Sequence, residues 1–181
     1  MPPSANVGGA WEKGAKSERL ILRPLQERDI APWIALHTDP ETTRHTGLND
    51  MTPADAWRDL AFVMGHAQLR GFSMWAIVDR HDGTFLGRVG PWMPDGWPGL
   101  EVGWALTAAA RGRGIAFEAA DLALNWCAAH LAGVRLVVHS IMPNNAASKA
   151  LVEKLGALLL GQANIGEAVH DIWVSDLDAR R

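Results

Sequence analysis

The chain has 181 residues, 48% hydrophobic and 20% charged, the make-up of one globular domain, which excludes a disordered or collagen-like chain. Seventeen Lys and Arg against twenty Asp and Glu leave a net charge of −3, so no whole-molecule field attracts nucleic acid. The single Cys127 excludes an internal disulfide framework and a cysteine zinc site, no apolar run approaches the ~18 residues of a membrane span, and Met1-Pro2-Pro3-Ser4 lacks a signal-peptide layout.

The expected location is therefore the cytoplasm, with no membrane partner. Residues 1–16, rich in Gly, Ala and Pro, read as a mobile tail partly ordered by Trp11, leaving 17–181 as one domain. A short strand over 19–23 is closed by Pro24. A helix over 27–37 carries Ile30, Trp33, Ile34 and His37 at helical spacing. Residues 38–52 form a polar connection. Thr52-Pro53-Ala54-Asp55 then opens a second helix, with a Thr cap, Pro at the first position and an acidic first turn, reaching Leu69. Strands over 72–78 and 84–92 flank Asp82-Gly83, a hairpin signal.

After a loop over 94–99, a strand over 100–106 alternates. Leu100, Val102, Trp104 and Leu106 share one face; Glu101, Gly103 and Ala105 share the other. A helix over 112–131 buries a stripe of Ile115, Ala119, Leu122 and Trp126. An apolar strand over 134–141 belongs near a sheet centre. A helix over 144–155 ends at Gly156, and strands over 158–160 and 170–174 close the chain. The order β-α-α-β-β-β-α-β-α-β-β describes a mixed α/β layer with a helix crossing between strands.

Arg111-Gly112-Arg113-Gly114-Ile115-Ala116 lies between a strand and a helix. Glycines there let successive N–H groups face one point, the helix start adds orphan donors, and two arginines add charge: a phosphate cradle. It lacks the ending of a P-loop and the spacing of a dinucleotide fingerprint. The plain alternative is an exposed basic turn. Asn144-Asn145-Ala146-Ala147-Ser148 opens the next helix; capping accounts for the asparagine but does not require Ser148.

Together, in this order, the segments resemble the GNAT superfamily of N-acetyltransferases. Arg111, Gly114 and Ala116 meet the Arg/Gln-x-x-Gly-x-Gly/Ala pattern. Asn145 and Ser148 followed by Glu153-Lys154-Leu155-Gly156 meet its downstream counterpart. Leu100-Glu101-Val102-Gly103-Trp104-Ala105-Leu106 and Glu18-Arg19-Leu20-Ile21-Leu22-Arg23-Pro24-Leu25 look like strands of the branch containing ribosomal-protein-alanine acetyltransferases. The resemblance covers 17–175.

It implies a mixed, mostly antiparallel sheet of six or seven strands, splayed between the fourth and fifth, with helices on both faces. Acetyl-CoA is the implied cosubstrate, with no metal. Its pyrophosphate is expected on the N–H groups of Arg111, Gly112, Arg113, Gly114, Ile115 and Ala116, and its pantetheine arm beside the backbone of Leu106 and against Asn145. The implied reaction is direct attack of a primary amine, from a small molecule or a protein N-terminus, on the thioester. Glu101 is the candidate base; its alternative is a solvated strand carboxylate or one paired with Arg88. The family's usual tyrosine acid is impossible here, because the chain has none. Ser148 is the available hydroxyl to stabilise the departing thiolate; its alternative is a helix-capping residue.

Other residues carry two readings each. His139 is either a base facing the cleft or a satisfied strand histidine. Asp39, Glu41, Asp50, Asp55 and Asp59 form either an acidic acceptor wall or a solvated face. Trp33, Trp57, Trp75, Trp92 and Trp97 line an acceptor pocket or fill the core. Cys127 reads as a small buried residue. None of the seven histidines has metal-site spacing. A non-catalytic acyl-CoA-binding or sensing module and a nucleotide-phosphate binder are the competing functions, and a homodimer is the general expectation for a soluble protein.

Overall fold

Strands and helices follow from where the apolar side chains can be covered. The computed structural model describes residues 9–46 and 50–181. Eight strands form one sheet: β1 (Ala15–Lys16), β2 (Leu20–Pro24), β3 (Trp75–Asp79), β4 (Phe85–Trp92), β5 (Glu101–Leu106), β6 (Leu136–Ile141), β7 (Leu158–Ile165) and β8 (Ala168–Asp176). Their order is β1-β2-β3-β4-β5-β6-β8-β7. Every pairing is antiparallel except β5 with β6.

The helices are α1 (Ala10–Lys13), α2 (Ile30–Thr38), α3 (Pro40–Thr43), α4 (Pro53–Arg70), α5 (Ile115–His130) and α6 (Ala146–Lys154). The sheet interior is apolar on both faces, so helices cover both. Leu20, Leu22, Trp75, Ile77, Val89 and Val102 pack with Ile115, Ala119, Leu124 and Trp126 of α5. Met74, Ala76 and Val78 pack with Trp33 of α2 and Leu60 and Val63 of α4. Of the expected α5 stripe, Leu122 is only partly buried. Among the described residues, no helix is long and apolar enough to cross a membrane.

One strand more than expected is present, and it comes from the expected tail. Residues 10–16 fold as α1 and β1, because Trp11 is anchored at both ends. Its Nε1 donates to Ser73 O at 2.8 Å, and its carbonyl accepts from Trp75 Nε1 at 3.0 Å. The two rings stack with centroids 6.2 Å apart. Residues 1–8 lie outside the described part of the chain.

Other boundaries moved for local reasons. The expected 27–37 helix begins as a 3-10 turn, Glu27–Asp29, before α2. The polar connection holds α3, where Asp39 caps the chain and Pro40 opens the turn. α4 starts with the reciprocal bonds of a capping box: Asp55 N–H donates to Thr52 Oγ1, and Thr52 N–H to Asp55 Oδ2. The last two strands are longer than expected. Gln162, Asn164 and His170 interrupt their apolar pattern, and β7 is an edge strand exposed over most of its length.

What positions the site is the junction of β5 and β6. One residue pair, Glu101 with Val138, joins these parallel strands, with Val138 N–H donating to Leu100 O at 2.8 Å. Beyond it the strands part. The imidazole of His139 sits in the fork: a carbonyl only accepts, so Nδ1–H donates to Val102 O at 2.9 Å, and Nε2 accepts from Ser175 Oγ at 3.0 Å.

Candidate active site

The fork opens into a cleft of ≈ 1160 Å³, reaching from the α5 loop to the β7–β8 turn. At one end the chain leaves β5 through a 3-10 turn and meets α5. Gly112 (φ +72°) and Gly114 (φ +76°) take left-handed conformations there, which glycine adopts without steric cost. They delay α5 until Ile115. The N–H groups of Gly112, Arg113, Gly114, Ile115 and Ala116 consequently have no acceptor among the described residues. Five neighbouring free donors at the positive end of a 16-residue helix suit a diphosphate.

Arg111 departs from its expected part in this cradle. Its N–H already bonds Ala108 O at 3.3 Å. Its Nη2 reaches across to α3, donating to Asp39 Oδ2 at 3.1 Å and Thr42 Oγ1 at 2.5 Å, and to Leu106 O at 3.4 Å. The guanidinium thus ties the loop to the cleft's other wall. Arg113 stays exposed, its carbonyl accepting from Arg19. Arg19 also pairs with Glu118.

Asn145 caps α6, its Oδ1 accepting Ser148 N–H at 3.1 Å. Capping therefore occupies the asparagine oxygen. The Ser148 hydroxyl makes no hydrogen bond among the described residues, and both side chains border the cleft.

Glu101 lies half-buried where β5 and β6 part, with Trp97 Nε1 donating to its Oε2 at 2.8 Å. Burial pushes its carboxyl above the usual range. Trp97, the nearby Ser140 hydroxyl and the positive charge of Arg88 hold it back. The carboxylate leans over Gly103, where a Cβ would stand 3.1 Å from Oε1 and 3.2 Å from Met74 Cε.

Arg88 approaches the same spot from β4. Its Nε donates to His37 Nε2 at 3.2 Å and its Nη1 to Met74 Sδ at 3.6 Å, and the ring of Trp33 lies 5.9 Å away. His37 Nδ1–H donates to Trp33 O at 2.9 Å, leaving Nε2 as the acceptor. Burial, aided by Arg88, lowers the His37 pKa to about 3, so the ring is neutral. Asp59 of α4 is raised by burial and drawn back by the same guanidinium.

The double readings now resolve in part. His139 is buried and doubly bonded, and burial lowers its pKa to about 4; it is a satisfied strand histidine. Cys127 is buried, which raises its thiol pKa far from nucleophilic use. Trp33 and Trp75 are core, and Trp57 is exposed. Of the five tryptophans considered, Trp97 borders the cleft. Of the acidic set, Glu41 borders it, Asp39 binds Arg111, and Asp59 belongs to the Arg88 cluster. Among the described residues no group of acidic, His or Cys side chains could hold a metal.

Residues 19–158 match the acetyltransferase (GNAT) domain family. The chain belongs to that family. This GNAT enzyme is an N-acetyltransferase that takes its acetyl group from acetyl-CoA. It is 28% identical over 144 residues to the uncharacterized protein YkkB of Bacillus subtilis (strain 168), spanning 77% of this chain and 82% of that one. The crystal structure of an acetyltransferase from Agrobacterium tumefaciens str. C58 superposes with a TM-score of 0.79 at 25% identity, covering 88% of this chain and 92% of that one. The ribosomal-protein-S5-alanine acetyltransferase of Vibrio fischeri superposes with a TM-score of 0.63 at 17% identity, covering 92% and 97%, a likeness of fold.

Proposed function

We propose that the enzyme acetylates a primary amine, of a small molecule or a protein N-terminus, by direct attack with Glu101 as base. The observation that carries this reading is the half-buried Glu101 carboxylate in the fork, facing the cleft that Gly112 and Ala116, at either end of the run of free N–H groups, also line. Acetyl-CoA supplies an activated thioester. Gly112, Arg113, Gly114, Ile115 and Ala116 would hold its phosphates, with the backbone at Leu106 and the Asn145 amide along its arm. An alkylammonium has a pKa of ~10 and must lose a proton before it attacks. Glu101 receives that proton, and burial, by raising its affinity for protons, makes it a stronger base than an exposed carboxylate. Ser148, with its hydroxyl free, donates to the sulfur as it leaves. A thiol pKa of ~8.5 means that a hydrogen bond suffices there.

Two measurements test this. Thermal unfolding is followed with acetyl-CoA, CoA, ATP and NAD in parallel. A ligand at a hundred times its Kd adds about 2.7 kcal/mol, so acetyl-CoA and CoA are expected to raise Tm by about 5–10 °C and ATP and NAD to leave it unchanged. Thiol release is then followed with a panel of amines. Glu101→Gln is expected to remove turnover and keep the acetyl-CoA shift. Binding without turnover for any amine would make the protein an acyl-CoA-binding module. Stabilisation by ATP or NAD equal to that by CoA would make it a general nucleotide-phosphate binder.

A further inference from the structure

Arg88 and Glu101 carry opposite charges on one face of the sheet, yet they do not meet. Arg88 pairs with Ala105 and Glu101 with Trp92, and the pair lying between them is Gly90 with Gly103. Alternate pairs share a face, so the two charged side chains stand at either end of a floor that has no side chains of its own. Each feels the other's charge. Neither is the other's hydrogen-bond partner, and their charged atoms stay more than 4.0 Å apart.

Both ends are held from behind. His37 and Met74 fix Arg88 through Nε and Nη1, and Asp59 draws on its charge from α4. Trp97 fixes Glu101 through Oε2. Packing thus prevents the collapse that two opposite charges in a cleft would otherwise undergo. Arg88 Nη2 has no acceptor among the described residues, although the side chain is largely buried and borders the cleft. A further enclosed polar atom on the same cleft, His45 Nδ1, also lacks a partner among the described residues.

We infer that the acceptor is a zwitterion, its amine at Glu101 and a carboxylate at Arg88, with a free α-amino acid as the simplest case. A planar guanidinium with an open nitrogen is suited to a carboxylate. Between the two groups, Gly103 and Ala105 border the cleft, with the Met74 tip packed over the Gly103 end. A peptide N-terminus would present a neutral carbonyl oxygen to Arg88, a weaker partner than a carboxylate. The inference rests on the acetyl-transfer reading above and assigns its acceptor.

The test is initial-rate thiol release with acetyl-CoA and three matched series: the standard L-amino acids, their amides, and the amines lacking the carboxyl group. At least one amino acid is expected to turn over with kcat/KM about tenfold or more above both its amide and its decarboxylated amine. Arg88→Gln is expected to bring the acid down to the amide's level. Because Arg88→Gln strands Asp59, the Arg88→Gln/Asp59→Asn double variant is measured beside it; if neither folds, the wild-type ratios decide. Amides or plain amines turning over as fast as the acids, or turnover confined to peptide N-termini, would overturn the zwitterion and leave amine acetylation standing. Acetyl-CoA binding with no turnover of any amine would remove both.

Discussion

Gly103 shows how much one missing carbon decides. A Cβ there would sit 3.1 Å from Glu101 Oε1 and 3.2 Å from Met74 Cε, so Gly103→Ala must push the carboxylate or the Met74 tip aside by a few tenths of an ångström. The expected result is a lowered kcat, since a reacting group must be held close to its productive geometry, with acetyl-CoA affinity unchanged by calorimetry. A loss of affinity instead would mean that the glycine serves the cofactor wall. Glu101 itself was legible: strand alternation set it apart with Gly103 and Ala105, the two small residues that clear its space. Arg88 was visible only as a possible partner for Glu101. Its other contacts come from α2, the β3 approach and α4, and no local pattern links His37, Met74 and Asp59 to a residue on β4.

Among the elements, α3 and the loop before α5 are joined by one side chain. Arg111 spends its Nη2 on Asp39 and Thr42, so a phosphate arriving at the loop competes with Asp39 for it. Asp39→Asn removes the competing charge and keeps a good helix cap. An exposed ion pair contributes at most about 1 kcal/mol, so acetyl-CoA should bind up to about fivefold tighter at low salt. Arg111→Gln should abolish that gain; unchanged or weaker binding in Asp39→Asn would instead make the pair a support for the loop. The loop and α4 were readable because Gly112, Gly114, Thr52, Pro53 and Asp55 act on their own backbone. The four-residue α3 was not, because its reason to exist includes Arg111, 72 positions further on. β7 and β8 were underread for a related cause: an edge hairpin needs no continuous apolar run.

On the scale of the whole molecule, three buried imidazoles, His37, His66 and His139, have pKa values lowered chiefly by burial and set an acid limit. The His37 and His139 pKa values fall to about 3 and about 4, from 6.5, chiefly through burial. Between those values and 6.5 the unfolded chain binds more protons, so their contribution to stability grows as pH rises to 6.5 and is lost on acidification. Asp59 and Glu101, raised by burial, act in the opposite sense above the ordinary carboxylate range. The clean measurement is therefore a difference. His139→Gln should lower Tm overall and flatten its rise between pH 4 and 6.5, the His139 share being roughly 3 kcal/mol. An unchanged slope would mean that His139 does not titrate in this window. The same composition has an optical consequence. With nine tryptophans and no tyrosine, near-ultraviolet absorption and emission come from indoles without a phenol background. One of those indoles, Trp97, donates its N–H to the Glu101 carboxylate. The site therefore carries its own chromophore on the carboxylate proposed to take the proton, and a difference spectrum against Trp97→Phe isolates its signal without any label.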